Sequence, residues 1–407
     1  MGNKSIIIIN DMRALPVSAA LSIFNKTKKN RTEIWLSESI FEYNDYGQID
    51  GFFLKKIKLM VLKLLSDVRV IPSSNANLND FDTGIDSSLK SITCDSMGAK
   101  GKYIDKWGQL YKLSEGALSI AERIKNEKCN VSEVFLFNGR TASSYPISKI
   151  CIEENIKIFF YEYSPEKYSY KLLPFPIHNL PAISKSVIHY YEFGLGGVSE
   201  IYRMGFDYVN KKLRNDFVES YRFSVNKTYD VVIFLSSPHE YMALDRLLCD
   251  ISYIDEVSFV SSVVAKYGAD KSYAIRCHPN QKSDPSWEDY FQRLSEYCSD
   301  NDIDFYSPCD DVSSYDLIRA ASNVVVDISS IGVDAFFLGA KVDVVGSPAY
   351  KDGLYYVIND ESIATDEKDV FLGGMISNFE KLSSCRLLGL EKYLYFVLQA
   401  LGKVIKN

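Results

Sequence analysis

A histidine-proline pair ends a short apolar run in the second half of the chain, within SYAIRCHPNQK. Ser272 to Cys277 has the alternation of a short buried strand, and Pro279, which lacks an amide hydrogen, would interrupt a central ladder. His278 is therefore expected at a strand exit. With Arg276 and Lys282 nearby in sequence, it can donate charge-assisted hydrogen bonds to a phosphate. The alternative is a hydrogen-bonded structural histidine.

A serine pair follows a second predicted strand, Asn323 to Val326. Asp327 ends this strand, and Ser329-Ser330 precedes the apolar helix Ile331 to Leu338, so we expect Ser330 at the helix N-cap. Unpaired backbone amides and the helix dipole favour negative charge at such a position. The sequence therefore predicts a phosphate site at these serines.

A further short helix is predicted from Tyr315 to Ala321, with Ser313 or Ser314 as its N-cap. Tyr315 is suited to stacking on a base or a sugar ring. Asp310 and Asp311 precede this helix, but two adjacent carboxylates without a third ligand are weak grounds for a metal, and we predict none.

Polar residues also follow predicted strands in the first half of the chain. Ser5 to Ile9 leads to Asp11, and Val134 to Phe137 leads to the phrase Asn138-Gly139-Arg140. Gly139 permits a tight turn, and the planar fork of Arg140 can bind a carboxylate or a phosphate. We expect this phrase to bind a substrate.

A carboxylate ends the next predicted strand, Lys157 to Tyr161. Glu162 is the leading candidate for general acid-base chemistry, and Asp11 is the second. The structural alternative for Glu162 is an ion pair with a neighbouring lysine. In the second half, strand Asp230 to Leu235 leads to a loop in which we expect His239 to contact a substrate.

Strands and helices alternate along the chain, which predicts an α/β fold with parallel sheets. In such sheets, ligands bind outside the carboxyl ends of the strands, where these polar residues are expected. We predict two Rossmann-like domains facing a cleft. Their expected extents are 1–214 and 229–385, joined by a linker at 215–228 and followed by a long apolar helix at 386–407.

Composition limits the classes of function. The chain has 407 residues and a net charge of -7, which argues against a general nucleic-acid binder. Its eight cysteines include no CxxC pair and no zinc-like spacing, so free thiols in a reducing compartment are expected. We expect no signal peptide and no membrane-spanning segment, and we expect a cytoplasmic protein.

Two further stretches have an unusual composition, and the first of them allows two interpretations. Phe52 to Leu65 reads FFLKKIKLMVLKLL, which fits either a surface helix or a basic amphipathic helix held at an anionic membrane face. Ser73 to Lys102 is rich in Ser, Asn, Asp and Gly, which predicts a long loop.

The arginine-x-histidine-proline exit and the later serine pair before GVDAFFLGAKV together resemble bacterial surface-polysaccharide glycosyltransferases of the GT-B fold. Capsule and O-antigen Kdo transferases, and the related sialyltransferases, share these motifs. The resemblance implies that His278 and Ser329-Ser330 bind the phosphate of a CMP-sugar donor without a metal or other cofactor. It also implies a glycan acceptor in the first domain and a terminal helix that crosses back onto that domain.

The identity of the donor is left open, because a phosphate-binding site does not distinguish one base or one sugar from another. A UDP- or GDP-sugar or phosphoribosyl diphosphate would satisfy the same residues. The chain also lacks the acidic-acidic-glycine phrase of the bacterial sialyltransferases. The alternatives are a UDP-N-acetylglucosamine 2-epimerase and a GT-B scaffold without catalysis.

Overall fold

The computed structural model describes residues 4–11, 17–18, 21–22, 31–43, 63, 67–73, 79–95, 100–164, 169–193, 197–217, 227–237, 248, 255–285 and 287–386. The chain divides into two compact units. The first unit comprises Met1–His178, Ala243–Cys249 and Ser383–Asn407, and the second comprises Asn179–Met242 and Asp250–Leu382. Each unit contains its own α/β sheet, which confirms the predicted fold class.

Within its described residues, the first unit forms a seven-stranded sheet with the order β12-β6-β5-β4-β1-β2-β3. Strands β1 to β5 are parallel, whereas β6 and β12 run antiparallel to their neighbours. The strands, numbered in chain order over both units, are β1 (Lys4–Ile9), β2 (Arg31–Ser37), β3 (Asp67–Ile71), β4 (Val131–Phe137), β5 (Ile158–Tyr163), β6 (Ser169–Leu173) and β12 (Ser384–Arg386). The helices are α1 (Asp82–Thr93), α2 (Ile104–Asn126) and α3 (Tyr145–Glu153), with 3-10 turns at Glu38–Phe41, Asn79–Phe81 and Lys128–Asn130.

In the part of the second unit that the structure describes, five strands form a parallel sheet with the order β11-β10-β7-β8-β9. Its strands are β7 (Tyr229–Phe234), β8 (Tyr273–Arg276), β9 (Asp304–Tyr306), β10 (Ala321–Val326) and β11 (Lys341–Val344). Its helices are α4 (Leu180–Glu192), α5 (Val198–Phe217), α6 (Glu256–Tyr267), α7 (Trp287–Asp300), α8 (Ser314–Ala320), α9 (Ile331–Phe337), α10 (Lys351–Asn359) and α11 (Lys368–Ser383), with 3-10 turns at Pro279–Ser283 and Thr365–Glu367.

Apolar runs form the centre of each sheet. Ile6, Ile7, Ile8 and Ile9 are consecutive and fully buried, as expected for a parallel strand covered on both faces. Burial of each such side chain contributes about 1.5–3 kcal/mol. In the second unit, Val324, Val325 and Val326 are equally buried at the centre of β10. These runs hold the two central strands in place and thereby fix the positions of the loops that follow them.

Both sheets reverse their strand order beside the first strand of the unit. In the first unit β1 lies between β2 and β4, and in the second β7 lies between β8 and β10. This is the order of a doubly wound sheet, in which the loops on either side of the reversal separate and leave a crevice at the carboxyl ends. The crevices are therefore expected beside the ends of β1 and β4 and beside the ends of β7 and β10.

The division between the units differs from the expected one. Residues 179–217 belong to the second unit, although we expected 1–214 to form the first domain. The reason is packing: the amide of Asp352 in α10 donates to the Ser184 hydroxyl in α4 at 2.7 Å. Helices α5 and α11 also approach so closely that a Cβ on Gly205 would lie 1.8 Å from the Val370 carbonyl oxygen.

The predicted loop at 73–102 is wrong in part, because it contains helix α1. Ile85 and Leu89, four residues apart, bury the apolar side of this helix. Ser87 and Ser88 are also fully buried, and the Ser88 hydroxyl accepts a hydrogen bond from the amide of Ala142 at 2.8 Å. The serine-rich composition belongs to a packed helix surface.

Some predictions fall outside the described residues. These are His239, residues 218–226 of the expected linker, most of the basic segment at 52–65, and the expected terminal helix beyond Arg386, which itself ends β12. Among the described helices, none combines the length and the apolar character that crossing a bilayer requires.

Candidate functional site

The first unit gathers polar side chains where its strand order reverses. Asn10 and Asp11 follow β1 and are almost completely buried, with 4% and 5% of their surface exposed. The Nδ2 of Asn10 donates to the carbonyl of Phe137 at 3.2 Å and to the Ser143 hydroxyl at 3.1 Å. Asn10 therefore connects the end of β1 to the end of β4. The polar residues that follow β4 form the next part of the site.

The turn after β4 depends on two residues in left-handed backbone conformations. Asn138 has a φ of 65° and Gly139 has a φ of 97°. A Cβ on Gly139 would lie 2.5 Å from the ring of Phe160, and the Gly139 carbonyl accepts a hydrogen bond from the Ser148 hydroxyl at 2.7 Å. Glycine is thus required for the backbone conformation and for the close approach to β5.

Asn138 connects three elements through its side-chain amide. Its Nδ2 donates to Glu162 Oε2 at 2.9 Å and lies 3.2 Å from His178 Nε2, and its Oδ1 accepts from the amide of Arg140 at 3.3 Å. Because the amide nitrogen carries only donors, His178 Nε2 must be the acceptor. This pattern fixes the orientation of the Asn138 amide.

His178 is held in its neutral form. Burial among surrounding protein atoms and the positive charge of Arg140 lower the pKa of His178 to about 3, although a third of the imidazole surface is exposed. Neutral imidazole that accepts at Nε2 carries its proton on Nδ1. The Nε2 atom also lies 4.0 Å from Glu162 Oε2, so protonation would replace the contact with Asn138 by an ion pair with Glu162.

Glu162 lies within β5, one residue before its last, and faces Lys171 across the antiparallel pairing with β6. Its side chain is 28% exposed, so the carboxylate remains open to solvent in part. The hydrogen bond from Asn138 orients this carboxylate. A partly exposed carboxylate, oriented by an amide beside a neutral imidazole, can act as a general base.

Arg140 lies beside this cluster with its side chain partly buried. Its Nε is buried and has no hydrogen-bond partner among the described residues. The structure brings together Asn138, Gly139, Arg140 and Glu162, all of which the sequence analysis selected as candidates. The sequence analysis missed His178, for which the only signal was a polar residue after an aromatic, proline-rich stretch.

In the second unit, Ser236 connects the two motifs that the sequence analysis selected. It follows β7, the strand between β8 and β10. The Ser236 hydroxyl accepts from the amide of Ile328 at 3.3 Å, and its carbonyl accepts from Gln281 Nε2 at 3.5 Å. The loop of the histidine-proline motif and the loop before the serine pair are therefore joined through one residue that sequence reasoning did not select.

His278 begins the 3-10 turn Pro279–Ser283. Its Nδ1 accepts from the amide of Asn280 at 3.2 Å, and its own amide donates to Gln281 Oε1 at 2.8 Å. An accepting Nδ1 places the proton of the neutral imidazole on Nε2, which makes that atom a hydrogen-bond donor. Lys282 is exposed in the same turn. The predicted strand exit at His278-Pro279 is confirmed.

Arg276 is placed differently from the surface position that phosphate binding would require. It lies in β8 with 6% of its surface exposed, and its Nη1 donates to the carbonyl of Ser307 in the loop after β9. Burial lowers the pKa of Arg276 below its usual value. The guanidinium therefore supports the loop beside His278 from within the protein.

The loop after β10 is tightly packed. Asp327 is close enough to Gly346 that a Cβ there would lie 2.2 Å from Asp327 Oδ1. Burial raises the pKa of Asp327 to about 6, against the opposing effect of Lys351. The Ser329 carbonyl accepts from the Tyr350 hydroxyl at 2.7 Å, which anchors the serine pair to the start of α10.

Ser330 lies at the predicted N-cap position but does not cap the helix with its side chain. Ser330 occupies the N-cap of the seven-residue helix α9, but its side chain makes no capping hydrogen bond. The Ser329 hydroxyl instead lies 3.5 Å from the amide of Ile331, at the limit of a hydrogen bond. The serine hydroxyls are adjacent to the backbone amides that the sequence analysis assigned to phosphate, but they do not cap them as expected.

Helix α8 begins at Ser314, with Ser313 at its N-cap and no side-chain capping bond. The hydroxyl of Tyr315 donates to Asp334 Oδ2 in α9 at 3.4 Å. Tyr315 therefore links α8 to the helix that follows the serine pair. Asp310 accepts from the amide of Ser307 at 2.6 Å, and the described residues contain no group of three side chains arranged to hold a metal ion.

No protein-family model matches the chain, and no curated protein matches it in sequence. Among solved structures it is similar to the Thermosulfurimonas dismutans KpsC, beta Kdo 2,7 transferase, with 12% identity and a TM-score of 0.40 over 69% of this chain and 89% of that one. It is also similar to the Methanocaldococcus jannaschii UDP-GlcNAc 2-epimerase, with 16% identity and a TM-score of 0.27 over 91% and 97% of the two chains. These low values leave the function to be argued from the site alone.

Proposed function

We propose that the protein is a metal-independent glycosyltransferase of the GT-B type, which transfers a sugar from a nucleotide-activated donor to a hydroxyl of a bacterial O-antigen or capsule glycan. The observation that carries the proposal is the arrangement around Glu162: a carboxylate oriented by Asn138 beside a neutral His178. A second polar site at the reversal of the other sheet supplies donor-binding groups. Kdo from CMP-Kdo is the donor that the motifs favour.

In this mechanism the first unit binds the acceptor. Glu162 accepts the proton of the acceptor hydroxyl while the oxygen of that hydroxyl attacks the anomeric carbon of the donor sugar. The hydrogen bond from Asn138 directs the carboxylate, and a neutral His178 does not itself form an ion pair with it. Asp11 is the alternative base, but its nearly complete burial makes proton exchange with a bound acceptor harder.

The second unit binds the leaving nucleotide. As the bond from the anomeric carbon to the phosphate oxygen breaks, negative charge develops on the phosphate. His278, which donates from Nε2, the ammonium of Lys282, and the hydroxyls of Ser329 and Ser330 offset this charge in place of a metal. Arg276 acts through the loop that it supports.

The remaining predicted residues take roles in recognition. Arg140 pairs with the carboxylate of an ulosonic-acid donor, and Asn138 and Gly139 shape the turn that presents it. Ser313, Ser314 and Tyr315 contact the donor from the start of α8, where Tyr315 also donates to Asp334. Asp327 contributes a carboxyl at the end of β10. His239 completes the substrate contacts. The protein acts in the cytoplasm on a lipid-linked acceptor, in peripheral contact with the inner face of the membrane.

Ligand-induced thermal stabilisation tests the donor assignment, because a ligand that binds only the folded state raises the melting temperature. The panel is CMP, UDP, GDP, CDP and phosphoribosyl diphosphate, with and without magnesium, on the wild type and His278→Ala. Stabilisation by CMP alone, independent of magnesium and lost in the variant, is expected. Stabilisation by UDP would instead favour a UDP-sugar enzyme, including a 2-epimerase, and no response to any nucleotide would favour a scaffold without catalysis.

A further inference from the structure

A hollow lies on the surface of the second unit, where α5 runs beside the start of α11. Its volume is about 430 Å³, within the range of about 300–1,000 Å³ that is usual for small-molecule sites. We call it the α5–α11 hollow, and its lining residues are Tyr202, Arg203, Phe206, Asp207, Glu367 and Val370. It shares no residue with the candidate sites at the ends of the strands.

Close backbone contact between α5 and α11 supports the hollow. A Cβ added to Gly205 would overlap the carbonyl of Val370, and one added to Gly374 would overlap the carbonyl of Ile201. Both glycines are therefore required for the two helices to approach so closely. The helices accordingly hold the lining side chains on a rigid base.

Two aromatic rings form most of the apolar part of the hollow. Tyr202 and Phe206 are four residues apart on α5, so they lie on the same side of that helix. Phe206 is 62% exposed, whereas Tyr202 is half-buried and packs edge-to-face on the buried Phe371, at 5.4 Å between the ring centroids. The hollow therefore presents an exposed phenylalanine ring beside a tyrosine that the core fixes in place.

Carboxylates form the polar part of the hollow. The hydroxyl of Tyr202 donates a hydrogen bond to Glu367, and Asp207 Oδ2 lies 3.6 Å from Arg203 Nη1. Both carboxylates are exposed to solvent. Because a carboxylate can accept about four hydrogen bonds, Glu367 and Asp207 each keep acceptor positions for a ligand.

Arg203, the one cation among the lining residues, is already paired. It donates to Glu200 from Nε at 2.9 Å and from Nη2 at 2.7 Å, and it also contacts Asp207. With its charge offset in this way, the two lining carboxylates would repel a phosphate or a carboxylate group. The α5–α11 hollow therefore fits an uncharged ligand, unlike the predicted donor site.

We propose that the α5–α11 hollow binds an uncharged sugar residue of a glycan chain. One face of a pyranose ring carries mainly C–H groups and stacks on an aromatic ring, while the hydroxyls donate to carboxylates. Phe206 supplies the stacking surface, and Glu367 and Asp207 accept from the hydroxyls. An acyl chain or an apolar peptide would desolvate both carboxylates without replacing their hydrogen bonds, so the acids favour a sugar.

The inference rests on the proposed function for the identity of the chain, because a protein that extends a glycan can use a second point of attachment to it. Glycan binding is measured without a sugar donor, so the two proposals can fail separately. Binding that depends on Phe206, in a protein that transfers no sugar, would reject the enzyme assignment alone. Sugar transfer by a protein whose α5–α11 hollow binds no glycan would reject this inference alone.

The test is affinity electrophoresis of the full chain in native gels that contain a dissolved polysaccharide. The neutral probes are dextran, mannan, galactan and glycol chitin, and the acidic probes are alginate and polygalacturonate. At least one neutral polymer is expected to slow the wild type, whereas the acidic polymers are not. Phe206→Ala is expected to weaken this binding about tenfold. Glu367→Gln is expected to weaken it about threefold, because a neutral hydrogen bond replaces a charge-assisted one.

Phe193→Ala is the matched control, because it removes a phenylalanine ring that is 74% exposed at the end of α4 and does not line the hollow. It is expected to bind like the wild type, and Phe206→Trp is expected to retain binding. Failure of every neutral polymer to slow the wild type would overturn the proposal. So would equal binding by Phe206→Ala and the wild type, an equal loss in Phe193→Ala, or tighter binding of an acidic polymer. Circular dichroism checks that each variant is folded.

Discussion

Asn138 donates a hydrogen bond from its side-chain amide to Glu162 at 2.9 Å, across the ends of two neighbouring parallel strands. The same amide nitrogen lies 3.2 Å from His178 Nε2. The two acceptors share one donor group, so the position of the carboxylate depends on an imidazole that must stay unprotonated. In the proposed function this dependence makes His178 a positioning residue for the base.

Two substitutions of His178 distinguish the effect of its hydrogen bond from the effect of its side-chain volume. His178→Gln keeps an acceptor and is expected to retain kcat within about threefold, whereas His178→Leu removes it and is expected to lower kcat about three- to tenfold, the effect of one neutral hydrogen bond. KM for the acceptor should change little. The control is His189→Leu at an exposed histidine of α4. Equal kcat in the Gln and Leu variants would assign His178 to packing alone.

The tautomer of His178 can be observed without a substrate. Nitrogen-15 NMR of the imidazole is expected to show a neutral ring protonated at Nδ1 from about pH 7.5 down to about pH 5, because the folded-state pKa is lowered. Titration near the ordinary value would contradict the arrangement of Asn138 between two acceptors.

Gly139 is predicted to be intolerant of any side chain. Gly139→Ala places a Cβ at a φ of 97° and 2.5 Å from the Phe160 ring, so we expect it to lower the free energy of unfolding by about 1–3 kcal/mol. The matched control is Gly108→Ala within α2, where a Cβ meets nothing within 4 Å. There alanine is expected to stabilise the protein by about 0.5–1 kcal/mol. Urea denaturation measures both, and an unchanged stability in Gly139→Ala would mean that this turn adopts another conformation.

The stability of the protein depends on pH through Asp327 in the opposite direction from the dependence that an ion-paired carboxylate gives. The pKa of Asp327 is raised to about 6 in the folded state from an ordinary value of 3.8, so the folded protein binds the proton more tightly than the unfolded chain. The charged carboxylate therefore costs stability above about pH 6, and this cost disappears as the pH falls towards 4.

Asp327→Asn is accordingly expected to be more stable than the wild type at about pH 7.5, by at most about 3 kcal/mol, with the difference shrinking at about pH 4.5. Thermal unfolding of both proteins at the two pH values measures this. A constant difference across the range would show that the carboxyl does not titrate there. Asp343→Asn removes a carboxylate that is paired with Lys266 and serves as the control for loss of a negative charge.

The sequence was most informative where local signals are strong. Apolar runs such as Ile6 to Ile9 predicted central strands, and the polar residues after them fall at the carboxyl ends of the sheets. Asn138 and Gly139 were selected because a glycine after a strand signals a special backbone conformation, and both have positive φ values. Such features depend on a few neighbouring residues.

Features that depend on distant partners could not be predicted. His178 matters because a turn forty residues earlier delivers Asn138 to it, and Ser236 matters because two separate loops meet there. Arg276 was expected to bind a phosphate, since a strand sequence does not reveal that its guanidinium donates to the carbonyl of Ser307. Helix α1 was missed because buried serines resemble loop composition.

The measurement that tests the central claim most directly is nucleotide release from CMP-Kdo, UDP-N-acetylglucosamine and GDP-sugars, with and without a panel of glycan acceptors, by the wild type and Glu162→Gln. We predict release of CMP from CMP-Kdo that requires an acceptor and falls about 10²- to 10⁴-fold in the variant, as expected for loss of a general base. Asn359→Asp, on an exposed part of α10, controls for a change of charge. Acceptor-independent turnover of a UDP-sugar, or full activity in Glu162→Gln, would contradict the account.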